Sequence, residues 1–303
     1  MSEAIQIRIH GDASLPTLIY LPSLHGDWTL VSSFRAAIAG QVRFVEFTYP
    51  RTVTWSLDDY ARAIEEALLA KGIERGWLLG ESFGSQPAWQ IIQRERAGAR
   101  LSPPAAGATG NVAREDTLVP QASSGFHPLG LILAGGFVRH PVIWAVRMTR
   151  QVSSAIPLWC VRLFCTGYAR YARFRHKRAP ETLAAIAEFV ANRTNEADRQ
   201  AIVHRYRLIA DNDLRQAAPQ FDRPVYYLAG LVDPLVPWFY VRWWLRKNCP
   251  GYRSGKTMWR ADHNVLGTAP KASAELVVQW LNAVTAVTEE AKQLPGITES
   301  QCE

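Results

Sequence analysis

The stretch Trp77-Leu78-Leu79-Gly80-Glu81-Ser82-Phe83-Gly84, followed by the helix-like segment Ala88 to Arg96, decides how the rest of this chain is read. An apolar run, then Gly-x-Ser-x-Gly, then a helical pattern is a strand, a sharp turn and a helix in sequence form. The two glycines have a steric purpose. A serine at the apex of such a turn takes a strained backbone conformation, and side chains on either flank would collide with the strand and the helix. The same turn opens a helix N-terminus beneath Ser82, where backbone N–H groups and the helix dipole favour negative charge.

Working outward, apolar and turn-forming residues alternate in the same rhythm. Ile5, Ile7 and Ile9 alternate with polar neighbours as in an edge strand, whereas Thr17 to Leu21 is a continuous apolar run suited to a strand covered on both faces. A turn-rich loop, Pro22 to Asp27, follows. Helical pattern is expected from Leu30 to Ala39, a strand over Val42 to Phe47, and a helix capped by Ser56 that runs to Ala70 and stops at Gly72. Beyond the serine turn, residues 97–125 are rich in Ala, Gly, Pro and Ser without any period, and read as a flexible surface insertion. Leu129 to Ala134 and Pro224 to Ala229 are buried-strand patterns, Lys256 to Arg260 is a further strand, and Pro270 to Val287 is the last helix. Between the strands near 134 and 224 the pattern is helical throughout. Strands alternating with helices imply an α/β fold with a doubly wound, mainly parallel sheet. Residues 1–138 and 222–293 would form its core, residues 139–221 a helical lid, and residues 294–303 a frayed tail.

The chain has 303 residues, 48% of them hydrophobic, enough for a sizeable core. Its formal net charge of +7 is unevenly placed. No acidic residue lies between Asp116 and Glu181, whereas Arg139, Arg147, Arg150, Arg162, Arg170, Arg173, Arg175, Lys177 and Arg178 all do. Such a sector suits an anionic membrane surface or an anionic acyl carrier; a plain solvated face is the simpler reading. The spacing of Cys160, Cys165, Cys249 and Cys302 matches no zinc pattern, and no N-terminal signal pattern is visible, so reduced thiols in a cytoplasm are expected. The apolar stretch Val142 to Phe164 is interrupted by Arg147, Arg150 and Arg162 and broken by Pro157, which argues against a transmembrane span.

In a parallel sheet the site lies at the carboxyl ends of the strands, so a candidate residue should directly follow a strand. Ser82 does. A serine hydroxyl is a weak nucleophile that needs an adjacent base, itself oriented by a carboxylate. Of the seven histidines, His263 follows a late strand just before the final helix, while His204 sits within helical pattern. Asp233 directly follows the strand ending near Leu228; as Asp before Pro it would also make a good helix cap. Asp262 is a weaker rival, because it adjoins His263 and would face elsewhere. The N–H groups of Phe83 and Leu24 are the candidate oxyanion-binding pair, with Asp27 as the alternative to Leu24.

In Pro22-Ser23-Leu24-His25-Gly26-Asp27, Gly80-Glu81-Ser82-Phe83-Gly84, Gly230 to Pro237 with Asp233, and Asp262-His263-Asn264, the chain resembles the α/β-hydrolase superfamily over nearly its whole length. It departs from the related loops at Ser23, where a glycine is common. The resemblance implies a Ser82–His263–Asp233 triad, an oxyanion hole at Phe83 and Leu24, and cleavage of a carboxylic ester or thioester through an acyl-enzyme, with no metal and no organic cofactor. Acyl transfer to an alcohol, or a binding protein on the same scaffold, are the alternatives. The expected substrate is a small apolar acyl compound. No phosphate loop or dinucleotide fingerprint appears, and the aromatics of Trp238 to Trp244 fit a half-buried helix better than nucleic-acid stacking. The lid residues Ile143, Trp144, Ile156, Leu158, Trp159, Leu163 and Phe164 are expected to wall the pocket over Ser82.

Overall fold

A computed structural model describes residues 4–101, 125–175, 180–192 and 195–293. Seven strands form one sheet in the order β1-β3-β2-β4-β5-β6-β7. They are β1 (Gln6–His10), β2 (Thr17–Leu21), β3 (Arg43–Thr48), β4 (Arg75–Glu81), β5 (His127–Ala134), β6 (Val225–Gly230) and β7 (Tyr252–Met258). Only β1 runs antiparallel, along β3 at the edge; the other pairings are parallel. The register sets Leu21 beside Gly80 and Glu81 beside Ala134, so β2, β4 and β5 end level with one another at the serine turn.

Helices cover both faces, which is why the central strands read as unbroken apolar runs. One face packs α1 (Ser32–Ile38) and α10 (Pro270–Gln293) over Leu18, Tyr20, Leu79 and Ile132. The other packs α2 (Leu57–Leu69) and α3 (Ser85–Leu101) over Ile19, Leu21, Leu78 and Leu133. Ser56 caps α2 with a full capping box, its hydroxyl accepting from the Asp59 N–H while the Asp59 carboxylate accepts from the Ser56 N–H.

Between β5 and β6 stand four helices: α4 (Ile143–Ala155), α5 (Leu158–Arg175), α6 (Pro180–Asn192) and α7 (Glu196–Asp211). They fall within residues 139–221. After β6 come α8 (Trp238–Asn248) and, after β7, the short α9 (Val265–Thr268). The stretch Val142 to Phe164 folds as two helices broken at Pro157, and among the described residues no helix is long and apolar enough to cross a membrane.

Two boundaries differ from the sequence reading. Helix α3 runs to Leu101, past Ala97, where the insertion was expected to begin. The rest of that insertion, from 102 to 124, and the tail 294–303 lie outside the described residues. Strand β7 begins at Tyr252 and ends at Met258; as the edge strand it leaves Arg253 and Ser254 exposed and so lacks the apolar run that marks a covered strand.

The tightest backbone approach is at Gly84. A Cβ there would lie 2.0 Å from the Leu21 carbonyl oxygen, at the end of β2. Gly84→Ala is therefore expected to cost about 1–3 kcal/mol in denaturant unfolding. Gly167→Ala, in α5 with nothing within 4 Å of the added Cβ, should instead raise stability by about 0.5–1 kcal/mol. Equal effects at both positions would show that the close approach is not a constraint.

Candidate active site

Ser82 occupies the turn between β4 and α3 with φ +49°, in the left-handed region that no other non-glycine residue enters among the described residues. Gly80 makes this possible on one side, since a Cβ there would lie 2.8 Å from the Ser85 Cα, and Gly84 does so on the other. The first turn of α3 is pinned from within. The Ser85 hydroxyl lies 2.6 Å from the Ser82 carbonyl and 2.9 Å from that of Phe137, and accepts from the Phe137 N–H at 3.0 Å. Gln86 Nε2 donates to the carbonyls of Phe137 and Val138 at 3.0 and 3.1 Å. The segment after β5 is thereby locked to the serine turn.

The loops after β6 and β7 bring the other two groups to this point. The Leu231 N–H bonds the Met258 carbonyl at 2.9 Å and the Val232 N–H bonds that of Ala261 at 3.2 Å, tying the two loops together. His263 Nε2 lies 2.8 Å from Ser82 Oγ, and His263 Nδ1 lies 2.8 Å from Asp233 Oδ2. A carboxylate only accepts, so Nδ1 carries the proton and the Nε2 lone pair faces the serine hydroxyl. The other oxygen of Asp233 accepts from the N–H groups of Leu235 at 2.8 Å and Val236 at 3.0 Å. The helix-cap alternative is not realised: α8 begins at Trp238 with Pro237 at its N-cap and no side-chain cap, and Asp233 instead fixes the loop ahead of it.

Burial opposes a charge on His263, but the hydrogen bond and charge of Asp233, with Glu81 and Asp262 beyond, outweigh it and raise the imidazole above its ordinary 6.5. Asp262 faces elsewhere: Oδ1 accepts from the Asn264 N–H at 3.0 Å and Oδ2 from the Tyr168 hydroxyl at 3.1 Å. His204 donates or accepts nothing here; its Nε2 lies 2.8 Å from the Trp55 carbonyl.

Leu24 sits in a turn closed by the Gly26 N–H on the Ser23 carbonyl at 2.9 Å, which leaves the N–H of Leu24 outside the turn's own bond. Gly84 presses this loop against the serine turn, so Leu24 and Phe83 belong to adjoining segments. The Asp27 N–H, the alternative donor, is directed at His25 Nδ1 at 3.3 Å, and its carboxylate accepts from the Thr29 N–H at 3.0 Å.

Three buried groups were not foreseen from the sequence. Arg205 of α7, 1% exposed, donates to the carbonyls of Leu24 at 2.7 Å and Pro50 at 3.0 Å and to the Tyr60 hydroxyl at 3.3 Å. Gly26, at φ +73°, leaves room for its guanidinium: a Cβ would lie 2.5 Å from Nη1. Glu81 accepts from the Tyr20 hydroxyl at 2.5 Å, and desolvation raises its carboxyl although His25 and Tyr20 act the other way. His140, at the start of the insertion, donates from Nε2 to the Leu235 carbonyl at 3.2 Å and accepts the Val142 N–H at Nδ1 at 3.1 Å; burial lowers its pKa. A single Arg in a helix, Glu at a strand end or His in a loop carries no local signal of a partner far away in sequence.

A cavity of about 630 Å³ opens onto His263. Leu30, Val152, Ile186, Phe189 and Leu235 give it an apolar lining, with Ser23, His25 and Asn264 among its polar groups. His25 packs edge-on against Phe189 at 5.5 Å, as a lining residue and not as a base. Of the lid residues expected to wall this cavity, Ile143, Trp144, Ile156, Leu158, Trp159 and Leu163 do not line it, and the side chain of Phe164 lies outside the described residues. Trp144, Trp159 and Leu163 are instead among the most exposed side chains; what α4 and α5 present to the open cavity is Thr149, Ser153, Cys165 and Tyr168, with Val152 at its exposed rim.

No protein-family model matches the chain, and no curated protein does. Solved structures match closely in shape. An alpha/beta hydrolase enzyme from a Medee basin deep-sea metagenome library aligns with a TM-score of 0.67 at 11% identity, covering 92% of this chain and 94% of that one. The enol-lactonase from Burkholderia xenovorans LB400 aligns at 0.65 and 16% identity, covering 92% and 96%. An esterase from Exiguobacterium antarcticum aligns at 0.65 and 14% identity, covering 92% and 95%. Likeness at such identities is likeness of fold.

The surroundings of His263 make a prediction that needs no substrate. In an NMR titration its imidazole should titrate above 6.5, and Asp233→Asn should move that midpoint down, because the largest favourable influence on the cation is gone. A midpoint unmoved by the substitution would mean that Asp233 does not govern the ring.

Proposed function

We propose that this chain, which has the α/β-hydrolase fold, is a serine hydrolase of carboxylic esters or thioesters. The observation that carries the reading is the relay Asp233–His263–Ser82, with both links at 2.8 Å, on a serine held at φ +49°. A serine used only for structure has no need of a strained turn and an oriented imidazole.

In this reading Ser82 Oγ attacks the acyl carbon as His263 Nε2 takes its proton. The imidazolium is stabilised by Asp233, whose second oxygen is fixed by Leu235 and Val236. The carbonyl oxygen, now negative, is met by the N–H groups of Phe83 and Leu24 at the mouth of α3. His263 returns its proton to the leaving oxygen or sulfur, and an acyl-Ser82 ester remains. Water, deprotonated by the same imidazole, attacks that ester and frees the acid. The apolar lining supports an acyl group that is itself apolar, and no step requires a metal or organic cofactor. The unbridged thiols of Cys160, Cys165 and Cys249 agree with a cytoplasmic setting.

Ser82→Ala should leave the fold intact, as judged by circular dichroism, and lower turnover of p-nitrophenyl esters by about 10⁴-fold or more. A fluorophosphonate probe should label the parent at Ser82 and leave the variant unlabelled. Turnover by the variant at the parent rate would remove Ser82 from the mechanism.

A further inference from the structure

The outer surface of the helical insertion does not look like the outside of a water-soluble cap. On α4, Trp144, Met148 and Val152 recur at every fourth residue and share one helix face; on α5, Trp159 and Leu163 do the same; on α8, Phe239 and Trp243. Each of these side chains is at least 51% exposed. A surface helix normally turns such a stripe inward. Here the inward faces are occupied by other residues, such as Val146 of α4 and Val241 and Leu245 of α8. Apolar side chains in contiguous exposed array mark an interaction surface.

The α4 and α8 stripes meet at one groove, and α4 and α5 both reach the cavity. Trp144 of α4 and Tyr240 of α8 line one groove, and the Tyr240 ring lies 5.5 Å from that of Trp243, tilted by 44°. At its other end α4 supplies Thr149 and Val152 to the rim of the cavity over His263, facing the exposed Leu235. Cations are interleaved with the aromatics. Arg147 is exposed between Trp144 and Met148, Arg170 and Arg173 lie exposed further along α5, and Lys247 stands 5.6 Å over the Trp243 ring. The sequence from 117 to 180 contributes no acidic side chain to offset them.

We propose that the outer faces of α4, α5 and α8 dock on an anionic lipid bilayer, and that the cavity draws its acyl substrate from that bilayer. Tryptophan and aliphatic stripes bordered by Arg and Lys are the composition of helices that lie in a membrane interface. A second copy of the chain would bring one cationic face against another. An acidic carrier protein would satisfy the arginines and leave the tryptophans in water. The docking half of the proposal is independent of the chemistry; the delivery half rests on the ester-hydrolase reading above.

Ser82→Ala protein, which would leave the lipid intact, is mixed with vesicles of phosphatidylcholine alone or of phosphatidylcholine with phosphatidylglycerol, and floated on a density gradient. Binding is expected to the phosphatidylglycerol vesicles at low salt and to weaken as salt is raised. Adding Trp144→Ser, Met148→Ser and Trp159→Ser should abolish most of that binding. In the Ser82 background the same triple variant should hydrolyse a short soluble p-nitrophenyl ester at the parent rate, which also reports its folding, and should lose hydrolysis of a long-chain ester presented in the anionic vesicles. Failure of the Ser82→Ala protein to float at low salt, or flotation unchanged by the triple substitution, would overturn the proposal. So would a stable dimer in solution that the triple variant converts to monomer, since the stripes would then be covered by a second copy. Flotation without turnover of any ester would retain the docking surface and discard the hydrolase reading.

Discussion

Ser82 is held in a backbone conformation that costs an L-residue about 1–3 kcal/mol, and the rest of the site exists only because its neighbours enforce that conformation. The restraint comes from three central strands at once. Strand β4 delivers the serine, the end of β2 closes over Gly84, and the segment after β5 is bound to Ser85 and Gln86. Each strand is hydrogen-bonded to the next in fixed register. The strain is therefore distributed over the whole middle of the sheet, and local relaxation of the turn would have to break strand-end contacts to proceed.

The polar groups around this turn follow from the same burial. Water does not solvate them, so each must find its partner in the protein. Asp233 uses both oxygens, one for His263 and one for the backbone of its own loop. Glu81, directly before the serine, has one oxygen on the Tyr20 hydroxyl and the other without a hydrogen bond among the described residues. It borders the cavity and adds negative potential behind the imidazole, in the direction that favours an imidazolium. The surroundings are thus biased toward positive charge on His263.

What was legible in the sequence was whatever depends on neighbours close along the chain. The turn at Gly80 to Gly84, the cap at Ser56 and the covered strands Thr17 to Leu21 and Val225 to Leu228 each carry their own reason. Ser82, Asp233 and His263 could be placed because each follows a strand, and the sheet brings strand ends together without further information. Arg205, Glu81 and His140 were not legible, since their partners Leu24, Tyr20 and Leu235 are set by packing between distant segments. The orientation of α4 and α5 was misread for a related reason. Composition shows that a helix is apolar on one side; which side meets the core depends on how the helices pack, and here Trp144 and Trp159 face out.

Arg205 gives the insertion a second office. Its guanidinium enters the core from α7 and fills the space left by Gly26, holding the loop that contains Leu24. Nearby, Asp198 of α7 pairs with Arg51 at 2.7 Å and His204 bonds the Trp55 carbonyl. Helix α7 is in effect a keystone, with α4 laid against it. Lifting it would leave the Leu24 and Pro50 carbonyls facing an empty, apolar slot and would let the loop drift from the serine. Admission of a substrate must therefore be arranged by elements other than α7. For the same reason, exchanging the whole cap would loosen the floor beneath the serine turn along with the roof, unless the replacement carried an arginine to the same spot.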